Sequence, residues 1–298
     1  MTAIPATSID ALIERYDVLL FDAYGVLVHA AGAMPGARAL VEQLNRSGKT
    51  YFVVTNDASK LPVTAAARYA KFGVAVPPER IVSSGQLVQQ YFATHGLGGA
   101  RCAVLGTRDS VRYVELAGGQ PVAPDGDFEV LVVGDETGYP FLESVDAALT
   151  TLFHRLDAGR PVHLLVPKPD LIYPRGTHSF GITAGSVALV LEAALERRFG
   201  DRAPRFVRLG KPAPHLYHAA VSRAGGGRAV MVGDQIETDI AGAIAAGIDA
   251  ALVITGVSTV PADLPRHLRP TWRLASVAPA GAVEADGGRA SAPDEIDK

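Results

Sequence analysis

The stretch Val18-Leu19-Leu20-Phe21-Asp22-Ala23-Tyr24-Gly25-Val26 decides the fold of this chain. Its apolar first half is typical of a strand buried inside a parallel sheet. The carboxylate of Asp22 follows at the end of that strand, where open α/β sheets bind their ligands, and a glycine turn comes after it. Asp22 is therefore well placed to act as a nucleophile, although strand-end aspartates also serve as ordinary turn formers or helix caps.

The composition restricts the class of protein. With 298 residues and a mass of 31.2 kDa, the chain suits one large domain or a core with an inserted domain. A formal net charge of -3 provides no broad basic face, so we expect neither nucleic acid nor a membrane as a partner. Cys102 is the only cysteine, which excludes an intrachain disulfide and fits a reducing cytoplasm. The sequence shows no signal peptide and no apolar run near the ~20 residues of a membrane span.

Short apolar segments alternate with amphipathic ones, which predicts an α/β fold with a Rossmann-like parallel sheet and helices on its faces. Strands are predicted at residues 18–22, 50–55, 80–83, 103–106, 130–133, 162–166, 206–209, 229–233 and 250–254. Helices are predicted at residues 37–47, 62–72, 85–95, 144–156, 185–199, 213–224 and 238–246. Residues 25–35 are predicted to form a loop over the sheet edge.

The long segment between Thr55 and Lys211 contains its own strand–helix alternation. We therefore predict a core domain made of residues 1–85 and 205–276, and an inserted α/β cap domain of residues 86–204 that closes over the sheet edge. Residues 277–298 have no periodicity and are predicted to be a disordered tail.

Further polar groups follow other predicted strands. Thr55 and Asn56 offer a hydroxyl and backbone N–H groups to a phosphate oxygen, and Lys211 could neutralise a negative group. Asp234 and Asp239 bracket the loop after a glycine turn, and Mg²⁺ takes carboxylates together with phosphate and water. Each has an ordinary alternative, since turns use threonine and asparagine, lysines are usually solvated and aspartate caps helices.

Four segments occur together in chain order, and they contain Asp22, Thr55, Lys211 and Asp234. In this arrangement the chain resembles the haloacid dehalogenase-like (HAD) superfamily. The closer match is to subfamily IIA, which includes p-nitrophenyl phosphatases, nucleotide and sugar-phosphate phosphatases and phosphoglycolate phosphatase. The likeness spans about Leu12 to Ser258. It is carried by Thr55-Asn56-Asp57-Ala58-Ser59-Lys60, Gly210-Lys211-Pro212, Gly233-Asp234 through Thr238-Asp239-Ile240, Thr255-Gly256-Val257-Ser258 and, in the cap, Pro169-Asp170-Leu171-Ile172-Tyr173-Pro174 with Gly185-Ser186.

The resemblance implies a phosphatase-type hydrolase with Mg²⁺ as cofactor and a small phosphorylated metabolite as substrate. Asp22 would attack phosphorus and form an aspartyl-phosphate. The residues that would bind the phosphoryl group are Thr55, Asn56 (through its N–H) and Lys211. The residues that would hold the metal are Asp22, Tyr24 (through its backbone carbonyl), Asp234 and Asp239, the last of them by steadying the loop or bound waters.

Tyr24 departs from the family pattern, because the matching residue in phosphatases is usually an aspartate that acts as general acid and base. A phenol with a pKa of about 10 is a poor substitute at neutral pH. Three interpretations remain open. The first is a phosphatase that is slow, is limited to good leaving groups or borrows another acid such as His29. The others are a descendant that binds a phosphorylated ligand without turnover, and a haloacid dehalogenase.

The cap contains residues that could face the entrance of the site, and each could equally be an ordinary surface or capping residue. They are Lys168, Asp170, Tyr173, Arg175, His178 and Ser186. An apolar face of the helix at residues 185–199 could pair with a second copy, so a homodimer through the cap is one expectation. His215 and His218 lie three residues apart on a helix, where a solvated face is favoured over a zinc pair.

Overall fold

The computed structural model describes residues 4–29, 31–176, 179–254 and 264–282 of the chain. Within these ranges the helices are α1 (Ile9–Arg15), α2 (Ala37–Ser47), α3 (Pro62–Lys71), α4 (Leu87–His95), α5 (Arg108–Leu116), α6 (Phe141–Asp157), α7 (Ala184–Phe199), α8 (His215–Arg223) and α9 (Ala241–Ala245). The strands are β1 (Val18–Phe21), β2 (Val28–His29), β3 (Gly32–Ala33), β4 (Thr50–Thr55), β5 (Ile81–Ser83), β6 (Arg101–Leu105), β7 (Gln120–Val122), β8 (Val130–Val133), β9 (His163–Val166), β10 (Ile172–Gly176), β11 (Ser179–Ile182), β12 (Val207–Arg208), β13 (Ala229–Gly233), β14 (Asp249–Val253) and β15 (Trp272–Leu274).

The core sheet has the strand order β15-β14-β13-β1-β4-β5 among the described residues, and its neighbouring strands are all parallel. All residues of β1 are buried. Leu19 and Phe21 pack on one face with helices α1 to α3, whereas Val18 and Leu20 pack on the other face with α8 and α9. Because both faces are covered, the central strands are continuous apolar runs. The predicted α/β fold with a parallel sheet is confirmed.

The inserted sheet has the order β12-β9-β8-β6-β7 and is also parallel. One of its faces packs on α6 and α7. Its other face shares an apolar cluster with α4, α5 and the core sheet, in which Cys102 and Val130 lie together with Phe92 and Val82. The lone cysteine is thus a buried packing residue.

The last strand of the inserted sheet, β12, pairs with β9 and lies beyond the predicted return to the core at residue 204. The segment at residues 206–209 was expected to be part of the core. Both residues of β12 are exposed, so the sequence has no apolar pattern here that would indicate which sheet this strand joins. The chain therefore reaches Lys211 directly from the inserted sheet.

Several observed elements were not predicted. They are α1, α5, the antiparallel pairs β2–β3 and β10–β11, and the edge strands β7 and β15. The pair β2–β3 falls in the segment at residues 25–35 that was expected to be a loop, and each of its strands has only two residues, too few to show periodicity. Residues Ile236–Ile240 form a π-helical turn before α9, where one regular helix was expected.

The predicted tail is ordered at its start, because Val277 is buried in the core and the N–H of Ala280 donates to Asp10 at 2.7 Å. The rest of that prediction, residues 283–298, lies outside the described residues. None of the helices in the described ranges combines the length and the apolar content that crossing a bilayer requires.

The loop after β4 is fastened to the start of α5, so the inserted part of the chain contacts the core next to Thr55. Three consecutive carbonyl groups accept hydrogen bonds from hydroxyls of α5 and of Thr107, which caps it: Ala58 from Ser110 (2.9 Å), Ser59 from Thr107 (2.6 Å) and Lys60 from Tyr113 (2.7 Å). The N–H of Leu61, at the start of α3, donates to the Asp109 carboxylate at 2.9 Å.

Replacing Tyr113 with phenylalanine tests this fastening. The Tyr113 hydroxyl also lies 2.6 Å from the Ser83 hydroxyl, so we expect Tyr113→Phe to lower the free energy of unfolding by about 1–2 kcal/mol. Tyr139→Phe is the matched control, because the Tyr139 hydroxyl is buried and makes no hydrogen bond within the described part of the chain. Urea unfolding followed by circular dichroism measures the free energy of unfolding of both variants. An equal loss of stability in the two variants would contradict a stabilising role of the Tyr113 hydrogen bonds.

Candidate active site

Asp22 lies at the carboxyl end of β1, where the N–H group of its backbone still donates to Val232 of the neighbouring strand at 2.9 Å. Its side chain is almost fully buried. The Lys211 ammonium donates to Oδ1 of Asp22 and to Oδ1 of Asp239, both at 2.6 Å. One buried cation therefore joins the end of β1 to the loop after β13.

The charges of this cluster are unequal. In the described part of the chain, the carboxylates of Asp22, Asp234 and Asp239 cluster around the ammonium of Lys211. Burial raises the pKa of Asp22 well above its usual range, Lys211 acts against this, and the two other aspartates add to it. Burial alone would lower the pKa of Lys211, but Asp22 and Asp239 outweigh it and raise that pKa, so the lysine stays charged.

Asp239 orders its own loop. Its Oδ2 accepts the backbone N–H groups of Asp234 and Gln235, both at 3.2 Å, while its Oδ1 accepts Lys211. A Cβ on Gly233 would lie 2.2 Å from the Cβ of Asp239, so only glycine lets this side chain fold back onto the strand end. Protein donors thus engage both carboxylate oxygens of Asp239.

Thr55 ends β4 and Asn56 follows it, and both residues are buried. The Thr55 hydroxyl oxygen accepts the N–H of Asp57 at 3.2 Å, in a turn at the strand end. The Asn56 amide binds the backbone of Lys211 on both sides, accepting its N–H at 2.7 Å and donating to its carbonyl at 3.2 Å. The sequence predicted a role only for the backbone N–H of Asn56 and gave no indication of this side-chain contact.

Tyr24 lies in the turn that follows Asp22 and is half-buried. A bridge between Tyr24 and Val28, together with the hydrogen bond from the Gly25 N–H to the Val28 carbonyl at 2.8 Å, closes this turn. Gly25 has a φ of +94°, and a Cβ there would lie 2.3 Å from Oδ2 of Asp234. The glycine therefore lets the turn pack directly on the aspartate of the other loop.

Two family models match the chain over these segments. A model of haloacid dehalogenase-like hydrolases matches residues 19–120, and a second HAD-hydrolase-like model matches residues 208–280, together more than half of the chain. Dihydroxyacetone phosphatase of Corynebacterium glutamicum (strain R) is 28% identical over 87% of this chain and 88% of its own length. The chain belongs to the haloacid dehalogenase-like hydrolases.

Other relatives of this HAD protein are also phosphatases. D-glycerol 3-phosphate phosphatase of Mycobacterium tuberculosis is 30% identical over 84% of this chain, which spans 66% of that relative. The crystal structure of a glycerol phosphate phosphatase from Mycobacterium tuberculosis in complex with magnesium has a TM-score of 0.74 and 28% identity, and covers 89% of this chain and 77% of that one. The resemblance to subfamily IIA phosphatases is confirmed.

The acidic cluster fits the magnesium ion that this family implies. Ligand atoms of Asp22, Asp234 and Asp239 all lie within 4.8 Å of one another. Mg²⁺ prefers hard oxygen ligands, and the cluster offers three buried carboxylates. The donor set is therefore chemically suited to the predicted cofactor.

One of the cap candidates reaches the site. The Asp170 carboxylate accepts a hydrogen bond from the Asn56 amide at 3.0 Å. Lys168 instead binds carboxylates of its own lobe, Asp135 at 3.0 Å and Glu136 at 2.8 Å. The ring of Tyr173 lies 6.0 Å from the Lys168 ammonium.

The remaining candidates are not brought to the cluster by any described contact. Ser186 donates to the carbonyl of Leu171 within the inserted part, and Nδ1 of His29 accepts the N–H of Ala31 at 3.1 Å. Nε2 of His218 lies 3.3 Å from the Ala246 carbonyl oxygen, and the metal-competent group found among the described residues contains neither it nor His215. His178, the segment Thr255-Gly256-Val257-Ser258 and the side chain of Arg175 lie outside the described structure.

Mg²⁺ should stabilise the folded protein, because it neutralises carboxylates that are close together only in the fold. At a concentration a hundredfold above its Kd, the stabilisation is about 2.7 kcal/mol. We expect a rise in Tm on adding Mg²⁺ to the metal-free protein and a much smaller rise for Asp234→Asn, measured by calorimetry.

Asp249→Asn is the control for this experiment. Asp249 begins β14 at the opposite end of the core sheet and is bound to Tyr16, Arg228 and Thr271. Its loss should lower Tm with and without Mg²⁺ but leave the response to Mg²⁺ intact. An Asp234→Asn protein that responds like the wild type would show that the ion binds elsewhere.

Proposed function

We propose that this HAD phosphatase is Mg²⁺-dependent, hydrolyses the monoester of a small phosphorylated metabolite, and uses Asp22 as its nucleophile. The observation that carries the proposal is the buried Lys211 ammonium, 2.6 Å from both Asp22 and Asp239 at the carboxyl end of the core sheet. A cation fixed beside a carboxylate at this edge is suited to bind a phosphoryl group against the nucleophile.

The reaction would proceed in two displacements. The Asp22 carboxylate forms a bond to phosphorus while the bond from phosphorus to the ester oxygen breaks, which gives an aspartyl-phosphate and an alkoxide that takes up a proton. Water then attacks phosphorus, the bond to Asp22 breaks, and phosphate and the free carboxylate are released. In both steps Lys211 would orient Asp22 and offset the phosphoryl charge, while Thr55 and the Asn56 N–H would hold phosphoryl oxygens.

Bound Mg²⁺ would supply positive charge to the phosphoryl oxygens. We propose that Asp22, Asp234 and the Tyr24 carbonyl hold it. The contacts of Asp239 favour the indirect role, since its oxygens already bind Lys211 and the loop backbone.

The proton for the leaving group is the weak point of this site. Tyr24 stands where related phosphatases carry an acid, and a phenol is a poor acid–base catalyst at neutral pH. Asp57, close to Thr55, does not fill the gap: Ser59 and Lys60 engage its oxygens. Burial alone would raise the pKa of Asp57, but Lys60 and Ser59 outweigh it and lower the pKa. We therefore propose that turnover is faster for esters with good leaving groups.

The relatives suggest the substrate class. They are named as a dihydroxyacetone phosphatase, a D-glycerol 3-phosphate phosphatase, a ribonucleotide monophosphatase and an acid sugar phosphatase. We propose a small alkyl phosphate ester, processed in a reducing compartment such as the cytoplasm. A homodimer through α7 stays a prediction, which the exposure of Leu189 and Val190 on that helix supports.

The first test is Mg²⁺-dependent release of phosphate from p-nitrophenyl phosphate, whose phenolate leaves with little need of a proton. Asp22→Asn should lose essentially all activity, because an amide cannot form the acyl phosphate, whereas Asp249→Asn should retain it. Turnover by the Asp22→Asn protein would refute the nucleophile. A wild-type protein that binds Mg²⁺ and phosphate without turnover would favour the ligand-binding alternative.

The second test restores the missing acid. Tyr24→Asp should raise turnover of glycerol phosphate by up to about 10²–10⁴-fold, the usual contribution of general acid–base catalysis, and should affect p-nitrophenyl phosphate far less. Tyr24→Phe is the control and should leave both rates near wild type. No gain in a Tyr24→Asp protein that folds and binds Mg²⁺ would show that another step limits the reaction.

A further inference from the structure

The Asn56 side chain connects the inserted part of the chain to Lys211. Its amide oxygen accepts the Lys211 N–H at 2.7 Å, and its amide nitrogen donates to the Lys211 carbonyl at 3.2 Å and to Oδ2 of Asp170 at 3.0 Å. These contacts use both N–H bonds of the amide and one lone pair of its oxygen. Because the donor and acceptor ends bind different groups, the amide is held in one orientation.

The backbone of Asp170 is held by other residues of the inserted part. Its backbone carbonyl accepts the N–H of Gly185 at 3.1 Å and the hydroxyl of Thr183, both at the start of α7. A Cβ on Gly185 would lie 2.3 Å from the carbonyl oxygens of both Pro169 and Asp170, so a larger residue would displace this segment. The Asp170 carboxylate therefore reaches Asn56 from a position that α7 determines.

The two parts of the chain also lie close together at Gly210. A Cβ on Gly210 would lie 2.4 Å from the Asn56 amide oxygen and 2.6 Å from the Pro167 carbonyl oxygen. Burial raises the pKa of Asp170, against the effect of Lys211 and of Asn56. Without Asp170, one N–H bond of a buried amide would lose its acceptor, which favours reorientation of the amide.

We propose that Asp170 is a positioning residue: by accepting the hydrogen bond of Asn56, it holds the backbone of Lys211 so that the ammonium lies between Asp22 and Asp239. Alignment of the lysine then depends on the docked position of the inserted part. The kinetic half of the test rests on the proposed phosphatase function, and the binding half does not.

Two substitutions at Asp170 separate positioning from other roles. Asparagine retains an oxygen that can accept the Asn56 N–H, whereas alanine removes it. We expect Asp170→Ala to lower kcat for p-nitrophenyl phosphate roughly 10- to 100-fold, where each factor of ten corresponds to about 1.4 kcal/mol in activation free energy. Asp170→Asn should stay within about threefold of the wild-type kcat, because it keeps the acceptor oxygen. Equal losses in both variants would mean that the charge or proton of Asp170 matters, which would overturn the proposal.

Glu192→Ala is the matched control for stability. Glu192 is a buried carboxylate of α7 that binds the Phe206 N–H at 2.7 Å and Arg208 at 3.0 Å, without contact to Asn56. It should lower Tm without changing kcat per folded molecule. If Asp170→Ala likewise lowers only Tm, Asp170 is merely structural and the proposal fails.

Binding of inorganic phosphate in the presence of Mg²⁺, measured by titration calorimetry, gives a readout without turnover. Asp170→Ala should weaken phosphate binding about tenfold and Asp170→Asn should not. If the wild type binds phosphate but hydrolyses no ester, the proposed function fails while this comparison still decides the role of Asp170. Unchanged affinity in Asp170→Ala would contradict the positioning role.

Discussion

The ammonium group of Lys211, buried between Asp22 and Asp239, is the interaction on which the rest of the site depends. Taking a lysine and several carboxylates out of water is unfavourable unless the charges are close and well oriented. That requirement explains the surrounding detail. The Asp239 carboxylate accepts hydrogen bonds from the backbone of its own loop, and the Lys211 main chain is bound by the Asn56 amide, so both partners of the ion pair are oriented by further hydrogen bonds. The three clustered carboxylates of Asp22, Asp234 and Asp239 are chemically suited to a divalent cation.

The sequence predicted the parts of the structure that follow from burial and from chain direction. The strands that are covered on both faces, such as β4, β8 and β13, are apolar runs and were predicted at their observed bounds. Parallel strands place their carboxyl ends at one edge, so Asp22, Thr55 and Asp234 could be expected to meet there. Lys211 arrives at the same place although it follows a strand of the inserted sheet.

What the sequence did not predict consists mainly of side-chain contacts and short exposed elements. The Asn56 amide binds residues 155 and 114 positions away in the chain, and no periodic pattern records such a contact. The helix α5 has a recognisable start, since the Thr107 hydroxyl accepts the N–H of Ser110, and this capping pattern could have revealed it. The exposed strand β12 carries no burial signal, which is why its sheet could not be assigned from the sequence.

The loop between β4 and α3 is bound by two groups of side chains from the inserted part. The hydroxyls of α5 and of its N-cap residue hold the carbonyls of Ala58, Ser59 and Lys60, and Asp170 holds the preceding Asn56. The same loop follows Thr55, for which we propose a contact with a phosphoryl oxygen. A shift of the inserted part would therefore act both on the end of β4 at Thr55 and, through Asn56, on Lys211. Under the proposed function, in which Tyr24 replaces the acid of related phosphatases, the reaction would rely more on positioning and charge stabilisation, so the contacts that fix this loop would matter as well as the residues that touch phosphorus.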